Sequence, residues 1–351
     1  MLILCRFVSL LALFTCCVCA VTERDDVIAR VRRQESPSFL AWIKSKFSKT
    51  PTPRIRPESG SMVAAPRSLV VPASDTRVPL VLCSWNIFRF GPAKFSVPDL
   101  LVKQGLNVTR MDIIVDQLVG CDIAAIQEYM DLSLVAIGKL RTEMISRTGH
   151  QFAIVCSPRV GKNKSFEQYV FIYRVDKVQP LESHLYPDSP ANQQFVRDPF
   201  FTKFRLLGSQ KGKTGSATEF VLGTIHTAPD EAVPEIRNLL PSFDWAVQNF
   251  SNADVLVLGD YNAACTYVRP SDWPRIPLRT ESRFTWIVPD TMDTTSMTTH
   301  CAYDRAVYLG TLFRNAFVSV VAPDFPLKFG LTPAQAKLVS DHRLVRMEFR
   351  F

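Results

Sequence analysis

Four apolar, strand-like runs of this chain lead straight into acids, amides or imidazoles, at Trp85-Asn86, Gln127-Glu128, Ile225-His226 and Gly259-Asp260-Tyr261-Asn262, and Tyr303-Asp304 and Ser340-Asp341-His342 add the same residue types. A strand that stops at a carboxylate or an imidazole leaves that group on the rim of a sheet, where loops converge. One such end reads as an ordinary cap or turn residue; four, with the two further stretches, argue for one shared polar cleft. Four acids (Glu128, Asp260, Asp304, Asp341), two amides (Asn86, Asn262) and two imidazoles (His226, His342) make the set rich in oxygen donors. Buried carboxylates are costly unless paired or bound to a cation, and oxygen donors suit Mg²⁺, Mn²⁺ or Ca²⁺ rather than zinc. A hard cation beside two proton-moving histidines fits hydrolysis of a phosphate ester.

The elements that must position these groups are legible as nine strand-like runs, over residues 80–87, 122–128, 152–157, 169–174, 200–208, 219–227, 254–262, 303–310 and 345–351. Each is rich in β-branched or aromatic residues and bounded by turn residues. Helical spacing falls between them, over Leu100–Leu118, Leu132–Ile145 and Ala232–Phe250. Such a mixture predicts an α/β layered domain with helices covering buried sheets. There is no internal repeat and no GxGxxG or GxxxxGK, so a nucleotide cofactor has no support.

The 351 residues carry a formal charge of +8, but the excess sits at the front. Residues 21–78 hold eleven Lys and Arg against six Asp and Glu, whereas residues 79–351 hold 29 against 27. Charge alone therefore names no partner for the main body. Met1–Ala20 has the layout of a signal peptide, with Arg6, an apolar run and small residues up to Ala20; secretion, and no membrane span, is the expectation. Residues 21–78 are punctuated by prolines and read as a basic, flexible extension or a removable propeptide, with a short amphipathic helix at 38–47 as the alternative. The domain proper is expected from residue 79. Export would leave five cysteines in an oxidising compartment, an odd number. Cys265 and Cys301 lie in polar, turn-rich sequence and are the candidate disulfide. Cys83, Cys121 and Cys156 lie in or beside apolar runs and are expected as small buried hydrophobes. Asn107, Asn163 and Asn249 open glycosylation sequons.

LVLCSWNI, AAIQE, IHTAPDEAVPEI, DVLVLGDYNAACTYV, PLRTESRFTWIVPDTMDTTS, HCAYDRAV and SDH follow one another in the order seen in the deoxyribonuclease I family, part of the endonuclease/exonuclease/phosphatase superfamily. The main body from Pro79 to Phe351 resembles that family throughout. The resemblance implies a four-layer α/β/β/α sandwich of two packed sheets, and a divalent-cation-dependent endonuclease that hydrolyses DNA to 5′-phosphate-ended fragments. It implies that Glu128 is the principal metal carboxylate, with Asn86, Asp260, Asn262 and Asp341 completing the shell for Mg²⁺ or Mn²⁺. His226 and His342 resemble the acid/base pair, steered by Glu167 and Asp304 respectively. Arg197 matches a phosphate-contacting arginine, and Asn262 and Tyr303 a phosphate-orienting pair. Cys265 and Cys301 match a structural disulfide, and Asp293, Thr295 and Thr299 a structural Ca²⁺ site, with Met297 standing where the family has a third threonine.

Departures from the family pattern bear on substrate recognition. PDSPANQQFVRDP lacks the family's second, small disulfide and part of a second calcium loop. Phe88 follows Asn-Ile, Met130 replaces an arginine, and Ser165-Phe166 replace a tyrosine that packs on a deoxyribose. Loss of two basic contacts weakens affinity and flattens its salt dependence, while Phe88 offers a stacking surface open to single strands. A glycan on Asn163 would crowd this DNA-facing loop. The segment around Ile154–Cys156 differs from the family's actin contact, so actin binding is not expected, and a monomer is. A related phosphodiesterase, sphingomyelinase-like or an inositol-phosphate phosphatase, is the alternative enzyme. A non-catalytic DNA-binding decoy is the third reading; it expects the loss of at least one of these acids or histidines, and all are present.

Overall fold

The computed structural model describes residues 77–95, 101–103, 106–162, 166–188, 193–208 and 217–351. The signal peptide, nearly all of the 21–78 extension with its alternative helix, Asn163, Ser165 and Leu100 lie outside them.

Chain order is β1 (Pro79–Phe90), β2 (Leu101–Lys103), β3 (Leu106–Val108), α1 (Arg110–Leu118), β4 (Ile123–Tyr129), α2 (Val135–Thr148), β5 (Phe152–Cys156), β6 (Gln168–Arg174), β7 (Val178–Leu185), β8 (Phe200–Leu206) and β9 (Glu219–His226). It continues with α3 (Ala232–Asn249), β10 (Val255–Asp260), α4 (Pro277–Thr280), β11 (Phe284–Trp286), β12 (Asp304–Leu309), α5 (Leu312–Ala316), β13 (Phe317–Val321), α6 (Phe325–Phe329), α7 (Pro333–Val339) and β14 (Val345–Arg350). Two six-stranded mixed sheets result, ordered β13-β14-β1-β4-β6-β5 and β11-β12-β10-β9-β8-β7. Among the described residues, no helix is long and apolar enough to cross a membrane.

Alternation along the strands builds three cores. Leu80 and Leu82 of β1, Phe171 of β6, Leu222 of β9 and Leu256 and Leu258 of β10 meet between the sheets. Trp85 and Ile87 turn the other way, to α1, α2, α6 and α7. Val221, Ile225, Val255 and Val257 of the second sheet are covered by α3. The layers are therefore α/β/β/α, as the resemblance implied. Gly259, with φ +149°, allows the close approach of β9 and β10: a Cβ there would meet the Ile225 carbonyl oxygen at 2.0 Å.

Three observations correct the sequence reading. The helix expected over Leu100–Leu118 forms only from Arg110, preceded by the β2–β3 pair, because Thr109 caps it: its hydroxyl accepts from Asp112 N–H and the Asp112 carboxylate accepts in return. The strands β7, β11 and β13, absent from the nine expected runs, form sheet edges, where half-solvated sequence suffices. Cys83 and Cys121, expected as small hydrophobes, form a disulfide with a Cα–Cα distance of 5.9 Å. Parallel neighbours β1 and β4 are linked by α1, whose C-terminal turn delivers Cys121 to the outer face on which Cys83 stands. Cys265 and Cys301 form the second disulfide, and Cys156 takes part in neither.

Candidate active site

The strand ends of both sheets deliver their polar groups to one rim. Asn86, Glu167, His226, Asp260 and Asp304 each extend the inward-facing alternation of a strand: Asn86, His226 and Asp260 follow its core residues, while Glu167 and Asp304 precede them. In the second sheet the pairing is direct: His226 lies opposite Asp260 on β9 and β10, and Asp260 opposite Asp304 on β10 and β12. Glu128 is different. Strict alternation after Ala124 and Ile126 would send it outward, under the helices. A bulge between Ile126 and Tyr129 and a left-handed backbone at Glu128 (φ +59°) redirect it. Its Oε1 then accepts from Asn86 Nδ2 at 3.0 Å and its Oε2 from the Arg89 N–H at 2.8 Å.

Asp260 is the centre of the arrangement. It is buried; its Oδ1 accepts from the Asn262 N–H at 3.0 Å and its Oδ2 from Asn86 Nδ2 at 3.0 Å. Both imidazoles aim their Nε2 at the same Oδ2, His226 from 3.5 Å and His342 from 3.3 Å. Each ring is held from behind by a second carboxylate: His226 Nδ1 lies 3.0 Å from Glu167 Oε2, and His342 Nδ1 lies 2.8 Å from Asp304 Oδ2. Burial works against a charged imidazole, but Glu167 and Asp260 hold His226 above its ordinary value. Against the same burial cost, Asp304 and Asp260 hold His342 well above it. Burial pushes the Asp260 carboxyl up, but the two rings together with the hydrogen bonds from Asn262 and Asn86 hold it below its ordinary value.

Arg197 lies behind this array. Its Nε sits 3.0 Å from Glu167 Oε2 and its Nη1 donates to the His226 carbonyl at 3.1 Å. Two of its nitrogens thus brace the His226–Glu167 pair. Asn262 donates from Nδ2 to the Thr227 carbonyl at 3.0 Å. The Tyr303 ring stands half-buried, 6.1 Å from the His342 ring.

Asp293, Thr295 and Thr299 lie apart from this array, in the loop that supports His342. Asp293 Oδ1 accepts from the Thr295 N–H (3.0 Å) and the Cys301 N–H (3.3 Å), and the single Thr295 hydroxyl proton lies between Asp293 Oδ1 (2.8 Å) and the Thr299 carbonyl. Oxygens of the type calcium takes therefore converge there. The carboxylate's other oxygen already faces Arg343 Nη2 at 3.2 Å and His300 Nδ1 at 3.1 Å. The loop is sewn to the catalytic segment: Ser296 N–H donates to the Asp341 carbonyl at 2.9 Å and Arg343 N–H to the Thr294 carbonyl at 2.6 Å.

For a hard cation in the cleft, the test is whether acceptors lie buried without donors. Asn86 Oδ1 does, beside Glu128 and Asp260, and Asp341 Oδ1, next to His342 in the chain, is also buried without a donor. These residues fit such an ion.

Sequence reasoning missed three supports. The Tyr169 hydroxyl accepts from the His226 N–H at 3.0 Å. The Ser340 hydroxyl donates to the Asn86 carbonyl at 2.6 Å. Lys94, buried and with its ammonium pulled down to about 8 by burial and the nearby Arg110, donates to the Leu338 and Val339 carbonyls at 2.8 Å each. Tyr169 shares the inward alternation of β6, a signal that could have found it; a lone lysine after Gly-Pro-Ala offers none. At the departures from the family, the Phe88 ring is surrounded by Arg89 (5.2 Å), Lys94 (5.6 Å) and Lys337 (5.5 Å), and Phe166 lies under Arg159 at 5.2 Å.

Fold and site together define an endonuclease/exonuclease/phosphatase-type protein, and residues 83–342 match the model of the Endonuclease/Exonuclease/phosphatase family. The fold is shared with the human Nocturnin catalytic domain (TM-score 0.51, 14% identity, 78% of this chain and 93% of that one) and with D. rerio TDP2 (TM-score 0.51, 15% identity, 78% and 99%). The chain is 37% identical over 268 residues to deoxyribonuclease-1 of Equus caballus, covering 75% of this chain and 89% of that protein. It is 36% identical over 274 residues to human deoxyribonuclease-1 (76% and 90%) and 35% identical over 284 residues to human deoxyribonuclease-1-like 2 (76% and 91%). The chain belongs to the deoxyribonuclease I family, and is a hydrolase acting on phosphodiester bonds.

Proposed function

We propose that this protein is a secreted endodeoxyribonuclease that depends on Mg²⁺ or Mn²⁺ and leaves 5′-phosphate ends. The observation that carries the reading is the convergence of two imidazole–carboxylate pairs, His226–Glu167 and His342–Asp304, on one buried aspartate. In-line hydrolysis needs a proton removed from the attacking water and another delivered to the departing 3′ oxygen as the P–O bond breaks; two opposed, carboxylate-steered rings supply both. Glu128, Asn86, Asp260, Asn262 and Asp341 would hold the cation, which offsets charge building on the phosphoryl oxygens. Arg197 keeps Glu167 and His226 in place, and Tyr303 flanks the phosphate position beside His342. Arg89, Lys337 and Lys94 around Phe88 give the rim positive charge for a nucleic-acid backbone.

Residues 1–20 serve as the secretion signal, 21–78 as a basic extension and 79–351 as the nuclease domain; two disulfides suit an oxidising compartment. The Asp293–Thr299 loop is where a Ca²⁺ would sit, weakly held because Arg343 already faces Asp293. Plasmid nicking tests the reading: supercoiled DNA should be cut with Mg²⁺, remain intact in EDTA, and be cut again when Mg²⁺ or Mn²⁺ is restored. Full activity in chelator removes the cation from the reaction, and RNA or sphingomyelin hydrolysis without DNA cleavage moves the chain to another substrate.

A further inference from the structure

Glu235 stands in the first turn of α3, where a carboxylate ordinarily faces solvent and the unpaired N–H groups of its own helix. Here it is 2% exposed and points inward. Its partners are two backbone amides from different segments: Oε1 accepts from the Val196 N–H at 2.6 Å and Oε2 from the Ala228 N–H at 2.9 Å. Val196 is the residue before Arg197, and Ala228 is two residues after His226. Arg197 closes the circuit through its contacts with Glu167 Oε2 and the His226 carbonyl. One turn further along α3, Asn238 Nδ2 donates to the Gln194 carbonyl at 2.9 Å, so the helix grips the 194–197 segment twice.

We propose that Glu235 is a positioning residue for the reaction: its two carboxylate oxygens clamp the Val196 and Ala228 amides so that Arg197 and His226 meet across Glu167. A neutral acid or an amide offers one good acceptor instead of two, so only the carboxylate closes both ends of the clamp. Burial pushes this carboxyl up to about 7, against the pull of the two amides, Arg197 and His226. The groups facing it are Arg197 from the 194–197 segment, His226 from β9 and Tyr169 of β6. The clamp therefore opens as pH falls through the neutral range, separately from any titration of the imidazoles.

The activity arm of the test rests on the nuclease reading; the exchange arm does not. In the wild-type protein, hydrogen-exchange protection at the Val196 and Ala228 amides, corrected for intrinsic rate, should fall as pH drops through about 7. Protection that stays flat across that range overturns the clamp. Glu235→Gln should lower kcat on plasmid DNA on the order of 10-fold at about pH 8 with KM within roughly twofold, and its acid limb should lack the wild-type step near neutrality. A pH profile superimposable on the wild type, or a lower melting temperature with unchanged kcat, overturns the positioning role. Should the variant not fold, the wild-type exchange measurement decides. A wild-type protein that cuts no DNA removes the nuclease reading and leaves that measurement intact.

Discussion

His226 and Asp260 are register partners on neighbouring parallel strands, and the Nε2 of one lies 3.5 Å from the Oδ2 of the other. His342 meets the same oxygen from the opposite side. Beside the Glu167 and Asp304 carboxylates that hold each ring, one carboxylate therefore adds to the charge of both, so Asp260→Asn should lower both imidazole pKa values together. NMR titration of the ring protons checks this; a shift in one ring only means that the shared aspartate does not couple them.

Removing either ring should stop the chemistry while sparing the fold. His226→Ala and His342→Ala should each reduce nicking by roughly 10²–10⁴-fold, the range expected for general acid–base groups, with unchanged circular dichroism. Near-normal nicking by both variants ends the acid/base assignment.

Stability should respond to pH through His342. Burial opposes its charged form, yet Asp304 and Asp260 raise its folded value well above the ordinary one. A raised histidine contributes stability that is complete below its unfolded value of about 6.5 and is lost as pH rises through the folded value. The urea midpoint should therefore fall from neutral to alkaline pH, and fall less in Asp304→Asn. Parallel slopes for the two proteins would count against this linkage.

The Cys83–Cys121 bridge spans 38 residues and lies on the outer face of β1, away from the cleft. Replacing both cysteines with serine should cost about 2–4 kcal/mol of stability and leave kcat unchanged at temperatures where the variant is folded. Denaturant melts of the two proteins measure the difference; equal stability means the crosslink constrains little.

Arg343 places Nη2 3.2 Å from Asp293 Oδ2 and 2.8 Å from Asp324 Oδ2, so a guanidinium already balances the carboxylate of the Asp293–Thr299 loop. Ca²⁺ should raise the wild-type melting temperature little. In Arg343→Met the uncompensated Asp293 should bind it more strongly, adding about 2.7 kcal/mol at 100 times Kd. Melting curves in Ca²⁺ and in EGTA, for both proteins, distinguish this from a loop that needs the ion in its native form.

Composition, apolar runs and the acids and imidazoles that end them determined by themselves that the chain forms layered sheets with a polar rim, because strand period and burial are local properties. His226, Asp260 and Asp304 were legible for that reason: each extends an inward-facing series. Edge strands such as β13 were not, since half-solvated sequence leaves no periodic signature. Only the tertiary structure decided that Glu128 faces the cleft, because a bulge and a left-handed backbone reverse its parity. It also decided that Cys83 meets Cys121, that Arg197 braces Glu167, and that Glu235 turns inward to two amides. Each of those contacts joins segments distant in sequence, and no local preference encodes which of many partners a side chain will meet until the sheets have packed.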